Sequence, residues 1–294
     1  MKILILGSSG MLGYSLFKNL SYRKDLQVSG TLRNLQKYKP FYSNEEFSNL
    51  IHYDALTSKN NLVSIIEKIR PEYVINCIGL IHHKESSNNF ISKYISLNSL
   101  FPHLLAETCE ITSSKLIHFS TDCVFSGRDG MYNEADIPDA TDFYGRSKLL
   151  GEINYGNHLT LRTSIIGHEI DSNIALVDWF LNKQGKIKGF SNAFFSGMPT
   201  QYISEIISQY IVGKNIKGLY HLSVNPISKY ELLRKIAKVY KKEIQIDEDK
   251  NLDINQSLDA TKFIQLTGYK PPSWDELIEL MYKDYCSRYN MIIR

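Results

Sequence analysis

Short apolar runs recur along the first half of the chain, at residues 2–6, 27–32, 73–77 and 115–119, and again at 159–161 and 219–222. Each spans only a few residues, which favours a buried strand over a helix. Between them apolar residues recur at helical spacing: Leu12, Leu16, Phe17 and Leu20; Leu62, Ile65, Ile66 and Ile69; Leu97, Leu100, Leu104 and Leu105. Strands alternating with helices predict βαβ units and a doubly wound parallel sheet. After about residue 165 the alternation weakens. Helices are predicted at 174–181, 201–212, 229–240 and 273–285, and the polar stretch 247–256 reads as a surface loop. The expected architecture is α/β. A Rossmann-like doubly wound sheet covers 1–165, with a return of about 198–224, and a smaller, mostly helical substrate portion covers 166–197 and 225–294.

Composition narrows the classes. The 294 residues allow one large domain, or one domain with a smaller partner. With 43% hydrophobic and 22% charged residues, the chain falls among ordinary soluble globular proteins. A net charge of +3 with scattered basic residues argues against nucleic acid as a partner. Cys77, Cys109, Cys123 and Cys286 have no metal-like spacing and read as reduced thiols in a cytoplasmic protein. The first apolar run stops at Gly7, too early for a signal peptide, and no run approaches the roughly 18 apolar residues of a membrane span.

The first run leads into Gly7-Ser8-Ser9-Gly10-Met11-Leu12-Gly13. Glycine permits a tight turn, lets the backbone approach a pyrophosphate, and lets the helix sit close to the strand. Free N–H groups at the helix start then receive the anion. Gly7, Ser9, Gly10, Met11, Leu12 and Gly13 are therefore candidate dinucleotide contacts. An NAD site places Asp or Glu at the end of the second strand, roughly 20 residues after the glycines. Here Val28-Ser29-Gly30-Thr31-Leu32-Arg33-Asn34 carries no acid, and Arg33 stands where a 2′-phosphate would sit. The cofactor expected is NADP(H). Asp54, after the next apolar piece, either accepts from the adenine amino group or caps the helix that follows.

Tyr144 and Lys148 form a Tyr-x-x-x-Lys pair, which shares one face of a helix. An ammonium beside a phenol favours the phenolate and lowers the tyrosine pKa. The same lysine is within reach of a nicotinamide ribose. The spacing recurs at Tyr14/Lys18 and Tyr210/Lys214. Tyr14 follows the glycine turn and reads as a packing or surface residue, and Tyr210 sits at a helix end. Context selects Tyr144, because the run 115–119 ends in Ser120-Thr121-Asp122, and the carboxyl ends of strands line the ligand crevice of an open α/β sheet. A Thr121 hydroxyl there holds a carbonyl oxygen while Tyr144 donates the proton.

These segments together resemble the extended short-chain dehydrogenase/reductases, closest to the dTDP-4-dehydrorhamnose reductase group. The resemblance is carried by Gly7 to Gly13, Asn76-Cys77-Ile78-Gly79, Asn98, the stretch from Ser120 to Gly127, Tyr132 with Glu134, Tyr144 to Lys148 with Gly151-Glu152, Arg162-Thr163-Ser164, and Gly197-Met198-Pro199-Thr200. It implies a catalytic trio of Thr121, Tyr144 and Lys148. It adds Cys77, Ile78, Gly79 and Asn98 beside the cofactor, Asn98 supporting a proton relay through the lysine. It places Asp122, Ile165, Gly197 and Pro199 toward the substrate, with Lys84 and Arg162 as candidates for meeting its charge, Arg162 alternatively forming a structural ion pair. Ile165 departs from the tryptophan usual there, and Ile81-His82-His83-Lys84 departs from the usual pattern. The histidine pair reads as a substrate-loop or surface feature, and no metal is expected.

The implied activity is NADPH-dependent reduction of a nucleotide-linked 4-keto-6-deoxy sugar, dTDP- or UDP-linked, supplying polysaccharide or glycan precursors. The partners expected are that small molecule and, in a homodimer, a second copy of the chain, with neither nucleic acid nor membrane. Two rival readings are a sugar-nucleotide epimerase or dehydratase and a non-catalytic NADP-binding regulatory subunit. The lack of an acid near Arg33 argues against the first, and the intact trio against the second.

Overall fold

The computed structural model describes residues 1–57, 61–81 and 90–289. In chain order the first part runs β1 (Lys2–Leu6), α1 (Met11–Ser21), β2 (Gln27–Leu32), α2 (Leu35–Tyr38), α3 (Asn44–Ser48), β3 (Leu50–His52), α4 (Asn61–Ile69), β4 (Tyr73–Asn76), α5 (Phe90–Tyr94), α6 (Phe101–Ile111), β5 (Lys115–Thr121), α7 (Phe143–Leu150) and β6 (Leu159–Thr163). The remainder runs β7 (Ile165–Ile166), α8 (Leu176–Leu181), β8 (Lys186–Phe190), β9 (Ala193–Phe195), β10 (Met198–Pro199), α9 (Thr200–Ile206), β11 (Gly218–His221), β12 (Ile227–Ser228), α10 (Lys229–Val239), β13 (Gln245–Asp249), β14 (Ile254–Asn255), α11 (Thr261–Thr267) and α12 (Trp274–Asp284).

Among the described residues seven strands form one parallel sheet in the order β11-β6-β5-β4-β1-β2-β3. The chain winds outward from β1 in one direction and from β4 in the other, so the switch point lies between these two strands. Their apolar runs are continuous because both faces are covered. Ile3 and Ile5 enter one core with α1 and α9, while Leu4 and Leu6 enter a second core with α4 and α6. The run 219–222 does return to the sheet, as β11 beside β6.

Three expectations need correction. Leu100 is exposed although Leu97 and Leu105 are buried, because a π-helical turn over Ile95–Leu100 inserts extra residues and rotates the face. The predicted helix 201–212 likewise passes into a π-helical turn after Ile206. Residues 247–256 are not a plain loop: β13 pairs in parallel with β8, and β14 with β9. Charged cross-strand pairs, Lys188 with Asp249 at 3.0 Å and Lys186 with Asp247, hold that polar ribbon, so no apolar alternation announces it. The smaller portion thus carries short strands between its helices. Among the described residues no helix is long and apolar enough to cross a membrane.

Candidate active site

The carboxyl ends of β1, β2, β4, β5 and β6 open onto two adjoining clefts that share Gly10, Cys77, Gly79 and Leu80. The first receives Gly7, Ser9 and Gly10 from the glycine turn, with Arg33, Asp54, Cys77, Ile78 and Gly79. Gly7 takes a positive φ of 83°, and the Gly10 N–H closes the turn on its carbonyl at 3.1 Å. A Cβ on Gly13 would stand 2.2 Å from the Gly7 carbonyl oxygen, so glycine is what lets α1 start this close to β1. A Cβ on Gly10 would meet nothing nearer than 3.7 Å. Packing therefore does not require that glycine, whereas an approaching ligand would.

Arg33 is exposed at the end of β2, at the mouth of this cleft. Asp54 lines the same cleft, and its Oδ1 accepts the Leu56 N–H at 2.9 Å. It closes a local turn at the rim of the cleft.

The second cleft is a cavity of about 430 Å³ that gathers Met11, Leu12, Thr121, Asp122, Tyr144, Lys148 and Ile165. Asp142 caps α7 by accepting the Gly145 N–H at 2.9 Å, which starts the helix at Phe143, one residue before Tyr144. Gly145 lets the helix approach the turn that follows β5, since a Cβ there would lie 2.2 Å from the Cys123 carbonyl oxygen. This glycine inside the Tyr-x-x-x-Lys spacing is a signal that the sequence reading did not use. The Thr121 hydroxyl accepts the Cys123 N–H at 3.2 Å and donates to Asp122 Oδ1 at 3.1 Å, on the cavity wall it shares with Tyr144. Burial pushes the Asp122 carboxyl up.

Burial also pushes the Tyr144 phenol up. The expectation that Lys148 lowers this phenol is not met in this arrangement, because the lysine Nζ donates to the Phe119 carbonyl at 2.6 Å. Burial pulls Lys148 down to about 8, against the opposing field of Glu152.

Asn98 sits in the π-helical turn, fully buried, behind the cleft. Its Oδ1 accepts the Leu80 N–H at 2.8 Å, and its Nδ2 donates to the Leu80 carbonyl at 3.0 Å and to Ser147 Oγ at 3.1 Å. It clamps the β4 loop onto α7. A Cβ on Gly79 would stand 3.4 Å from Asn98 Oδ1 and 3.9 Å from Lys148 Nζ, so both groups converge on that glycine.

The substrate-side candidates divide. Ile165 is 37% exposed in the cavity wall. Gly197 and Pro199 stand one layer back: Gly197 packs on the Ser164 carbonyl, and β10 pairs with β7. Arg162 is not a free cation, because Glu152 holds its guanidinium at 2.8 and 2.7 Å. Lys84, with His82 and His83, lies outside the described residues. Sequence reasoning missed Leu80, Gly167 and Glu169, in irregular segments, and Leu176 at the start of α8, which complete the clefts without a motif. Tyr14 is buried with its hydroxyl on the Phe41 carbonyl at 3.3 Å, and Tyr210 packs edge-on to Tyr269, both away from the clefts. No cluster of metal-ligating side chains occurs among the described residues.

Over residues 1–287 the sequence matches the family described as RmlD substrate binding domain. It is 28% identical to a dTDP-4-dehydrorhamnose reductase from Aggregatibacter actinomycetemcomitans, across 95% of this chain and 97% of that protein. It is 29% identical to the methionine adenosyltransferase 2 subunit beta from Danio rerio, across 58% of this chain and 49% of that protein. The fold matches a crystal structure of dTDP-4-dehydrorhamnose reductase from Bacillus anthracis in complex with NADP, with a TM-score of 0.78 at 20% identity, covering 96% of this chain and 99% of that one.

Proposed function

The chain belongs to the RmlD substrate binding domain family, and from the site it carries we propose that it reduces the keto group of a nucleotide-linked 4-keto-6-deoxy sugar with NADPH. The observation that carries this reading is one cavity, at the switch point of the sheet, in which Thr121, Tyr144 and Lys148 stand beside the glycine turn.

The residues present fit the cofactor. The Gly7–Gly10 turn and the start of α1 suit a pyrophosphate, and the acid-free end of β2 with exposed Arg33 suits a 2′-phosphate. Bound there, NADPH supplies the hydride. Thr121 and Tyr144 hold the sugar carbonyl oxygen, and Tyr144 gives its proton as charge develops there. Lys148 keeps a positive charge beside the site and reaches the ribose. Asn98 holds the loop through Leu80. Ile81, Ile165 and Leu176 give the cavity an apolar wall that suits the methyl group of a 6-deoxy sugar. In this reading residues 1–165, with 198–224, serve the cofactor, and 166–197 with 225–294 serve the substrate. Gly197 and Pro199 support the wall formed by Ile165 without touching ligand.

Following NADPH oxidation with a panel of dTDP- and UDP-linked 4-keto-6-deoxy sugars tests the reading and identifies the nucleotide. Turnover with one of them is the expected result. NADPH binding without turnover of any panel member would favour a regulatory subunit.

A further inference from the structure

Beneath α7 a layer of buried polar side chains continues away from the cavity. Glu152, just beyond α7, accepts Arg162 Nε at 2.8 Å and Nη2 at 2.7 Å, and also accepts the Ser120 hydroxyl at 2.7 Å. Arg162 lies on the Phe125 ring and reaches His221 Nε2 at 3.2 Å. His221 Nδ1 donates to the Tyr132 carbonyl at 2.9 Å. Burial, and then the Arg162 charge, hold His221 down to about 4, so this histidine is neutral.

Lys148 is anchored on the carbonyl of Phe119, and Glu152 on the hydroxyl of Ser120. Cation and carboxylate are thus fixed on consecutive residues of β5. We propose that Glu152 is a positioning residue: clamped by Arg162 and Ser120, it supplies the counter-charge that holds the buried Lys148 as an ammonium beneath the cavity.

The other groups around Lys148 leave that task to Glu152. Burial pushes the Cys77 thiol and the Tyr144 phenol up, and pulls His118 well below the ordinary histidine range, so all three are neutral near neutral pH. Asp122, across the cavity, is bound to Thr121, and Glu169 accepts Ser172 and the Ala175 N–H. Arg162, paired with Glu152, offsets part of its field.

The catalytic meaning of this charge rests on the proposed reductase reading. The test reads Lys148 in ligand-free protein, so its failure would leave that reading standing. The protein is made with isotopically labelled lysine, the Lys148 resonance is identified by its loss in Lys148→Met, and its pH titration is followed by NMR. The parent midpoint should lie at about 8. Glu152→Gln should lower it and Arg162→Gln should raise it, each by ~0.5 pH unit or more. Glu152→Asp should restore most of the parent value. Both Gln variants break the same ion pair, so a merely structural role would not move them in opposite directions. Shifts of the same sign, or no shift in either, would overturn the proposal. If Glu152→Gln does not fold, the double variant Glu152→Gln, Arg162→Gln leaves no unpaired buried charge. Its midpoint should still fall, and a value at or above the parent's would overturn the proposal.

Discussion

The Lys148 ammonium donates to the Phe119 carbonyl at 2.6 Å, which ties the helix carrying Tyr144 to the strand ending in Thr121. Burial brings this lysine from its ordinary range down to about 8. The ammonium is therefore present below that pH and lost as pH rises through it. Where catalysis needs the charge, kcat/KM should be flat on the acid side of this midpoint and fall above about 8, because that parameter reports the free enzyme. Lys148→Arg, which keeps its charge, should abolish this alkaline limb. A limb that persists in the arginine variant would assign it to another group.

Tyr144 should be the tyrosine that matters among the three with a lysine four residues on. Tyr144→Phe removes the proton donor and should lower turnover by ~10²–10⁴, with NADPH affinity little changed. Tyr14→Phe and Tyr210→Phe remove hydroxyls remote from the cavity and should leave turnover within a few-fold. Steady-state rates of the three variants, with cofactor titrations, decide the matter.

Two glycines of one turn should behave oppositely. Gly13→Ala forces a Cβ to 2.2 Å from a backbone oxygen and should destabilise the fold by ~1–3 kcal/mol, read as an earlier urea midpoint. Gly10→Ala meets nothing nearer than 3.7 Å and should unfold with the parent. It should nevertheless bind NADPH at least ~tenfold more weakly, about 1.4 kcal/mol, because the added methyl stands where the pyrophosphate approaches.

Arg33 should set cofactor choice. Its contact with the 2′-phosphate is a charge-assisted hydrogen bond worth ~1.5–3 kcal/mol, so NADPH should bind at least ~tenfold more tightly than NADH. Arg33→Asp should narrow or reverse that gap in a calorimetric titration. Equal affinities in the parent protein would remove Arg33 from the site.

Much of this was legible in the sequence because the signals are local. The glycine turn, the uninterrupted apolar strands and the Tyr144–Lys148 spacing each report short-range geometry. What escaped depends on contacts distant in sequence. Asp249 lies in a strand whose partner β8 places Lys188 diagonally across from it, and Leu100 turns outward because it ends a π-helical turn. The Tyr144 phenol was expected to be lowered by its lysine neighbour, but spacing cannot show that Lys148 reaches instead for a carbonyl on β5. Arg162 was open to two readings until its partner ten residues earlier, Glu152, was placed against it.

Net reduction at the Thr121–Tyr144–Lys148 site leaves an isotopic mark on the product. Its most direct test is a single-turnover reaction with NADPH deuterated at the transferable position and a dTDP- or UDP-linked 4-keto-6-deoxy sugar, the product being analysed by mass spectrometry and NMR. The expected result is a released sugar nucleotide with deuterium on the former carbonyl carbon, formed by the parent and strongly slowed in Tyr144→Phe. A sugar nucleotide recovered without deuterium, or equal rates in the parent and Tyr144→Phe, would contradict it.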